Sequence, residues 1–371
     1  MMQLPEKLRR NLEKIVKEMM LKEDVYGVAL FGSWSRYDAE STSDIDLLIV
    51  KESDMAEEYV ERTAINGLLV DYNFVPKRWI RGPTPPELDQ KLYEAQIFYD
   101  RDWNLTNTKL LTDKFYRSPE RVEMRTKIHI IESDIYLSRA TSALSKEDYK
   151  SAQLFATIAM ENILRIPLEI AIEPFSNSHF IEKTETATKK LGIAKMFNDY
   201  LEMAKLNIVE KVTVEEKMRL FKTLWDEMNL TVKHNTQMLE KLHFKVKASL
   251  KYYFSPFLIQ GTLLRTSSMV NSKKFAEATH YLQRIFLNTL EAYVWLKAAM
   301  QKKKMDYTRL MHTLENFEKQ NPRNYKNIEK FLNLDDVDKK KTTETIEKAR
   351  RNIIKIREER KRLIKTYISK S

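Results

Sequence analysis

The sequence contains no cysteine and little glycine or proline. Its 371 residues include 6 glycines and 10 prolines. The lack of cysteine excludes disulfide bonds and metal sites with thiolate ligands. All-β folds need many turn residues, so this scarcity of glycine and proline, together with abundant Lys, Glu, Leu and Ile, predicts a mostly helical protein.

Long hydrophobic runs are also missing. The chain starts with the charged segment MMQLPEKLRRNLEK, which predicts that there is no signal peptide. The apolar run LRIPLEIAI is interrupted by Arg165 and Glu169 and is too short to span a membrane. We therefore expect a soluble, cytoplasmic protein without membrane association.

Basic charge is concentrated late in the chain. The first 115 residues contain 16 Lys and Arg against 21 Asp and Glu, whereas the last 37 contain 13 against 7, within a total net charge of +11. A basic surface on the C-terminal helices would suit an anionic partner such as RNA. A solvated, lysine-rich surface of a stable helical protein explains the same pattern equally well.

Strand patterns are confined to the first third of the sequence. A chain of this length is long for one hydrophobic core, so two or three domains are expected. We predict strands at 25–31, 44–50, 67–75 and 95–101, with an amphipathic helix at 5–22 and a helical period at 54–65.

From about residue 118 onward only helical patterns occur. We predict helices near 120–144, 147–171, 179–206, 213–243, 246–270, 273–303, 306–320, 323–333 and 337–369, with Pro256 breaking the fifth. The chain is therefore predicted to be an α+β protein: a small domain at 1–115 with a mixed sheet and flanking helices, followed by an all-α region of one or two helical bundles at 116–244 and 245–371. Segments 142–155 and 268–281 are alike at an offset of 126 residues, so the second bundle is either a diverged repeat or a chance match of amphipathic helices.

The most informative stretch is FGSWSRYDAESTSDIDLLIV at 31–50. Gly32-Ser33 ends one predicted strand, and Asp-x-Asp opens the next after ten intervening residues. Alternation along a strand places Asp44 and Asp46 on one face, where two carboxylates repel unless a cation lies between them. Mg²⁺ prefers such oxygen ligands and also accepts substrate phosphates. Gly32 lets backbone amides approach an anion, and Ser33 adds a hydroxyl donor.

A third carboxylate, Asp71, lies in the predicted strand GLLVDYNFV at 67–75. It joins the other two if that strand lies beside the second. Three carboxylates, two metal ions and a triphosphate suit in-line phosphoryl or nucleotidyl transfer, in which Asp71 would hold the metal near the attacking group and accept its proton. The alternative is that Asp-x-Asp is turn chemistry and Asp71 a surface strand residue.

Residues 25–101, about a quarter of the chain, resemble the small nucleotidyltransferases of the DNA polymerase beta superfamily. The elements that carry this resemblance are VALFGS, SDIDLLIV, LLVDYNF and LYEAQIFYDRD. The resemblance implies transfer of a nucleoside monophosphate, which we expect to be AMP, from ATP or another NTP to a hydroxyl with release of pyrophosphate. Many relatives have glycine where Tyr37 stands, which leaves the shape of that loop open. The residues implied are Asp44, Asp46 and Asp71 for two Mg²⁺ ions, and Gly32, Ser33 and Arg36 for the triphosphate.

The helical remainder resembles the helical partners of such enzymes only loosely. A nucleotidyltransferase followed by helices is similar to aminoglycoside nucleotidyltransferases and to minimal nucleotidyltransferases that work beside HEPN domains, and 136–164 is similar to a HEPN-type helical pair. Many HEPN domains are ribonucleases with Arg, four to six residues, then His. Arg125 and His129 are separated by three, so this activity is not predicted. In aminoglycoside relatives a helical-domain glutamate is the general base, which makes Glu161 a candidate, although pairing with Arg165 is the simpler explanation.

Two hypotheses follow for function. In the first, the protein is a metal-dependent nucleotidyltransferase whose acceptor is a small molecule, an RNA end or a protein side chain. In the second, it is a non-catalytic nucleotide-sensing or RNA- or protein-binding module with a vestigial site. Relatives with helical tails often form dimers, which makes a homodimer one option, but the oligomeric state stays open. The acceptor and the preferred base have no readable motif.

Overall fold

The chain folds into two compact units. The computed structural model describes residues 5–40, 42–55, 57–319 and 321–368. One unit contains the residues up to Arg117 together with Lys251–Arg265, and the other contains Ser118–Leu250 and the residues from Thr266 onward. The division at 115 and 244 stays a prediction, and it did not anticipate that Lys251–Arg265 groups with the first unit. Within the described ranges, none of the helices has the length and hydropathy that a membrane span requires.

The first unit combines one sheet with short helices, and the predicted α+β class is confirmed. Its strands are β1 Val25–Phe31, β2 Ile45–Lys51, β3 Tyr59–Ile65, β4 Leu68–Pro76 and β5 Gln96–Asp100. Its helices are α1 Glu6–Met20, α2 Ser33–Arg36, α3 Arg78–Arg81, α4 Asp89–Glu94 and α5 Asn104–Phe115, with a 3₁₀ turn at Pro86–Leu88.

The sheet is mixed and is covered on both faces. Its strand order is β3-β4-β2-β1-β5, with β2 and β4 parallel and the other neighbours antiparallel. Helix α1 covers one face through apolar residues such as Leu12, which pack with Leu47 of β2. The other face carries Leu48, which packs with residues of α3 to α5. Because side chains alternate along β2, Asp46 lies on the same face as Leu48.

The helix predicted at 54–65 is wrong, because Tyr59–Ile65 is strand β3. Asn66 and Gly67 connect it to β4 with φ values of 51° and 80°, and Ile65 pairs with Leu68. Positive φ at both central residues defines a type I′ turn, for which Asn-Gly is the preferred sequence. The helical period of 54–65 was misleading because the hairpin buries only part of this strand.

The second unit is helical. Together with the segment shared with the first unit, its helices are α6 Pro119–Ser145, α7 Tyr149–Ile163, α8 Arg165–Ala171, α9 Phe180–Lys190, α10 Ala194–Met203, α11 Lys211–His234, α12 Thr236–Leu239, α13 Phe244–Tyr253, α14 Pro256–Asn271, α15 Phe275–Met300, α16 Leu310–Phe317, α17 Pro322–Phe331 and α18 Lys339–Tyr367. The end of α13 and the first part of α14 group with the first unit.

Several predicted long helices are interrupted. The segment 147–171 is divided into α7 and α8 at Leu164, and 179–206 is divided at Gly192, whose φ is 71°. Asp148, predicted near the start of α7, accepts a hydrogen bond from the Ser151 N–H at 3.1 Å and caps this helix. Pro256 begins α14, so the predicted break at that residue is confirmed.

The two segments that are alike in sequence also share a turn geometry. Glu147 and Lys273, which are 126 residues apart, have φ values of 59° and 60°. The next N–H in each case, of Asp148 and Lys274, donates to a carbonyl five residues earlier at 3.0 and 2.9 Å. This geometry is common at helix C-termini, so the proposed duplication stays a prediction.

Candidate active site

The sheet brings the three predicted carboxylates together. Asp46 of β2 lies directly beside Asp71 of β4, so the predicted adjacency of these two strands is confirmed. Asp44 precedes Asp46 by two residues and points to the same face. Asp44 and Asp71 are only 7% and 6% exposed, which places acidic groups inside the protein, where each needs a partner.

Arg62 supplies that partner for two of them. It pairs with Asp71 across the β3–β4 hairpin, and its Nε donates to Asp71 Oδ1 at 2.6 Å. Its Nη2 donates to Asp44 Oδ2 at 2.5 Å. The guanidinium therefore bridges two of the predicted metal ligands. Sequence analysis did not select Arg62, because residues 54–65 were predicted to be helical. The Asn66-Gly67 sequence, which is typical of a tight hairpin turn, indicates the strand that positions Arg62.

The segment Lys251–Arg265 contributes further groups to the same carboxylates. Arg265 Nη2 donates to Asp44 Oδ1 at 2.5 Å, and the Tyr252 hydroxyl donates to Asp71 Oδ2 at 3.3 Å. Gly261 permits this close approach, since a Cβ there would lie 2.6 Å from Leu69 Cδ1. No local pattern in the sequence indicates that these residues join a site some 180 positions earlier.

The arginines act unequally on the three pKa values. Burial raises the pKa of Asp44, but Arg265 and Arg62 outweigh it and hold that pKa below its usual value. Burial raises the pKa of Asp71 more than Arg62 lowers it. Burial and the charges of Asp44 and Asp71 raise the pKa of Asp46 well above its usual value. Asp46 is thus the carboxylate that most lacks a positive partner.

Gly32 and Arg36 already bind a carboxylate. The Gly32 N–H donates to Glu94 Oε2 at 3.2 Å, and Arg36 Nη1 donates to the same oxygen at 2.7 Å. A backbone amide and a guanidinium that converge on one anionic oxygen also suit a phosphate oxygen. Ser33 begins α2 beside them. Glu94, which sequence analysis did not select, occupies the position expected for an anion.

The backbone conformation of Tyr37 explains why many proteins of the family that the sequence resembles have glycine at this position. It ends α2 with φ of 66° and ψ of 24°, a left-handed conformation that glycine adopts at little cost. Its hydroxyl accepts a hydrogen bond from Gln96 Nε2 at 3.2 Å, which helps to hold the loop. The loop therefore keeps a left-handed turn despite the larger residue.

Gly32→Ala should disrupt the site locally. Gly32 has a φ of 75°, and a Cβ there would lie 2.4 Å from Asp46 Oδ2. We expect the variant to lose about 1–3 kcal/mol of unfolding free energy from backbone strain and to bind nucleotides more weakly. Thermal unfolding and nucleotide titration measure these effects. In the control Gly82→Ala, the new Cβ would lie no closer than 4.0 Å to its nearest neighbour, so unchanged behaviour is expected. Equal stability of both variants would contradict the prediction.

The carboxylates have the chemistry that a divalent cation needs, but arginine now holds them. Within the described ranges, no group of three or more acidic or histidine side chains is arranged as a metal centre. Arg62 lies between Asp44 and Asp71. Three carboxylates are hard oxygen donors, the ligand type that Mg²⁺ prefers.

Glu161 is buried in the helical unit among basic groups. Burial raises its pKa, but Arg284, His280 and Arg165 together outweigh burial and lower it. Arg165 Nη2 lies 3.4 Å from Glu161 Oε1, which is the pairing named above as the simpler explanation. A general base at neutral pH needs a raised pKa, so the role of Glu161 as a base stays a prediction that this environment does not favour.

Comparison with known proteins finds a likeness for the first unit. Residues 9–99 match the family model of the nucleotidyltransferase domain. A search of curated proteins finds no match. Among solved structures, the chain is similar to a nucleotidyltransferase-like protein from Exiguobacterium sibiricum 255-15, with 13% identity, a TM-score of 0.33, and coverage of 87% of this chain and 90% of that one. The matched residues include the three carboxylates, so over this range the first unit is similar to nucleotidyltransferase domains.

Proposed function

We propose that the protein transfers a nucleoside monophosphate, AMP, from a nucleoside triphosphate to a hydroxyl acceptor. The observation that carries the proposal is the register of the sheet. It sets Asp46 beside Asp71 with Asp44 on the same face, and Gly32 directly against Asp46, all within the matched nucleotidyltransferase domain. The acceptor is a small molecule, an RNA end or a protein side chain.

In this reaction the acceptor oxygen attacks the α-phosphorus. The bond from the α-phosphorus to the bridging oxygen of the β-phosphate breaks, pyrophosphate leaves, and the hydroxyl proton passes to a base. Asp71, which would hold the metal near the attacking group, is our candidate for that base. Gly32 and Arg36 would bind phosphate oxygens in place of Glu94.

Asp44, Asp46 and Asp71 are proposed to hold Mg²⁺. When bound, the cation would neutralise the triphosphate and stabilise the leaving pyrophosphate. Arg62 and Arg265, displaced from the carboxylates, would then be free to contact the triphosphate. The chain would thus exchange its internal ion pairs for pairs with the substrate, which keeps buried charges partnered in both states.

A second candidate is a nucleotide sensor without transfer activity. The contacts that favour it are those that satisfy the site without ligand: Arg62 and Arg265 on the carboxylates, and Glu94 on Gly32 and Arg36. A nucleotide that exchanged these partners would rearrange β3 and the segment Lys251–Arg265 even if no bond were made. The two candidates differ in whether pyrophosphate is released.

Calorimetric titration with non-hydrolysable ATP, GTP, CTP and UTP analogues, with and without Mg²⁺, tests the proposal. We expect Mg²⁺-dependent binding of one analogue, and a loss of at least about tenfold in affinity in the Asp44→Asn/Asp46→Asn double variant. Pyrophosphate release from the matching NTP then separates the enzyme from the sensor. Absence of binding to the folded protein would exclude both.

Glu94→Gln should strengthen nucleotide binding. The Glu94 carboxylate competes with phosphate for Gly32 and Arg36 and repels it, so its neutralisation is expected to improve the affinity by at least about fivefold. Glu87→Gln, an equivalent change at an exposed residue of the preceding turn, should have no effect. Weaker binding in Glu94→Gln would show that the carboxylate serves the site rather than blocking it.

A further inference from the structure

The helical unit contains a cavity that the proposed transfer reaction does not use. It has a volume of about 70 Å³ and is lined by residues of α7, α10, α15 and the connection from α17 to α18. Its polar lining includes Glu161, His280, Arg284, Lys205 and Asn333. A volume of this size holds on the order of five water molecules, or one group the size of a phosphate.

His280 is an unsatisfied polar side chain at this cavity. It is 5% exposed, and in the described part of the chain neither ring nitrogen has a hydrogen-bond partner. Phe180 stacks on the ring with centroids 4.6 Å apart, which fixes its plane. Buried polar groups are nearly always hydrogen-bonded in native proteins, so a histidine left unsatisfied beside a cavity indicates a missing partner.

Glu161 approaches His280 at ion-pair distance but not at hydrogen-bond distance. His280 Nε2 lies 3.7 Å from Glu161 Oε2, and Arg284 Nε lies 3.6 Å from Oε1. Both distances exceed those of good hydrogen bonds and leave room for an intervening group. A single carboxylate thus faces several donors at long range.

The charged groups of the lining are mostly basic. His280, Arg284 and Lys205 face the cavity, and Lys205 Nζ also donates to the Asn333 carbonyl at 3.0 Å, whereas Glu161 is the one carboxylate among the described lining residues. Glu132 and Glu291 also act on the charge of Arg284, but neither lines the cavity. An acceptor-rich group is therefore the kind of ligand that the lining lacks.

The cavity continues into a larger groove. A second depression of about 570 Å³ shares Gln153, Met203 and Lys205 with it. The outer groove carries Lys348 and other basic residues together with acidic ones such as Glu202. Pockets of this combined size between helices of a bundle commonly hold small molecules, so the groove has room for the remainder of a ligand whose anionic group is deeper inside.

We propose that this cavity binds an oxyanion, the phosphate or carboxylate group of a small polar molecule, through His280 and Arg284, with Lys205 at its mouth. The ligand accepts hydrogen bonds from His280 and Arg284 and projects into the outer groove. This site lies wholly within the helical unit and does not depend on nucleotidyl transfer by the first unit.

Titration of the full chain with inorganic phosphate and with succinate tests the proposal. We expect binding of at least one anion, with a loss of affinity of at least about tenfold in His280→Phe and in Arg284→Met. His280→Phe keeps an aromatic ring against Phe180 and removes the ring nitrogens. The matched control Lys222→Met, at an exposed lysine of the helical unit, should retain the affinity. Arg36→Met measures how much of the phosphate signal comes from the first unit. Circular dichroism establishes whether each variant is folded. If Arg284→Met does not fold, the result for His280→Phe tests the proposal.

The outcomes separate the sources of binding. Binding of phosphate alone, lost in His280→Phe, assigns the cavity to phosphorylated ligands, and binding of succinate alone assigns it to carboxylates. Loss of binding in Arg36→Met with full retention in His280→Phe would place the anion at Gly32 and Arg36 and overturn the proposal. Absence of binding of both anions to the wild-type chain would overturn it as well.

Discussion

Asp46→Asn is expected to abolish nucleotidyl transfer while making the folded protein more stable. Asp46 is half-buried beside two other carboxylates. Removal from solvent and the charges of Asp44 and Asp71 raise its pKa well above its usual value, so its charge opposes folding when no cation is present. The neutral amide removes that repulsion, and we expect the melting temperature without divalent cations to rise by at least about 2 °C. Transfer should fall at least about 100-fold in kcat/KM, because a ligand of the proposed Mg²⁺ is lost.

The stability gain should depend on pH. The unfolded chain ionises Asp46 at its ordinary pKa of about 4, whereas the folded chain ionises it only at higher pH. The penalty is therefore absent below the ordinary pKa and grows as the pH rises towards the folded value. Melting curves in EDTA should show the largest advantage of Asp46→Asn near neutral pH and a smaller one near pH ~4.

Two controls define this result. Asp54→Asn removes a charge from an exposed residue and should leave both stability and activity unchanged. Asp44→Asn removes a carboxylate whose pKa Arg265 and Arg62 hold below its usual value, so it should lower stability as well as activity. If Asp46→Asn destabilised the protein as Asp44→Asn does, the charge of Asp46 would have a partner that we have not identified.

Arg62→Met should destabilise the first unit by about 3–5 kcal/mol, because two buried carboxylates lose their shared partner. Asp44 would keep Arg265, and Asp71 would keep only the Tyr252 hydroxyl. Methionine retains much of the side-chain volume, so the loss would report on charge rather than on a cavity. Denaturant unfolding followed by a probe in the first unit measures the change.

Magnesium should partly restore this variant. If Arg62 occupies the position of the proposed cation, Mg²⁺ will stabilise Arg62→Met more than the wild type, in which the guanidinium competes with it. Arg81→Met, at a half-exposed arginine with only long ion pairs, should change stability by less than about 0.5 kcal/mol and show no added response to Mg²⁺. If Mg²⁺ stabilised the wild type and Arg62→Met equally, Arg62 would not occupy the position of the cation, and the prediction would be wrong.

Local pattern was enough to place the carboxylates but not their partners. The alternation of DIDLLIV and the apolar run around Asp71 identify two neighbouring strands, since burial against a core imposes those patterns. The hairpin that carries Arg62 was also readable from Asn66-Gly67, but a helical period over 54–65 was given more weight. The same short motif predicts Gly32, Ser33 and Arg36 as phosphate-binding residues. It does not indicate that the Glu94 carboxylate accepts hydrogen bonds from Gly32 and Arg36.

The sequence by itself determined the α+β class, the helical remainder and the placement of Asp44 and Asp46 on one face of a strand, because each depends on periodicity within a single element. The pairing of β2 with β4, which adds Asp71, came from the tertiary structure. Only the tertiary structure decided that Arg265 and Tyr252 reach Asp44 and Asp71, and that Arg284 and His280 lie near Glu161. These contacts join residues more than a hundred positions apart. Their geometry depends on how whole helices and strands pack, and no local pattern contains that information.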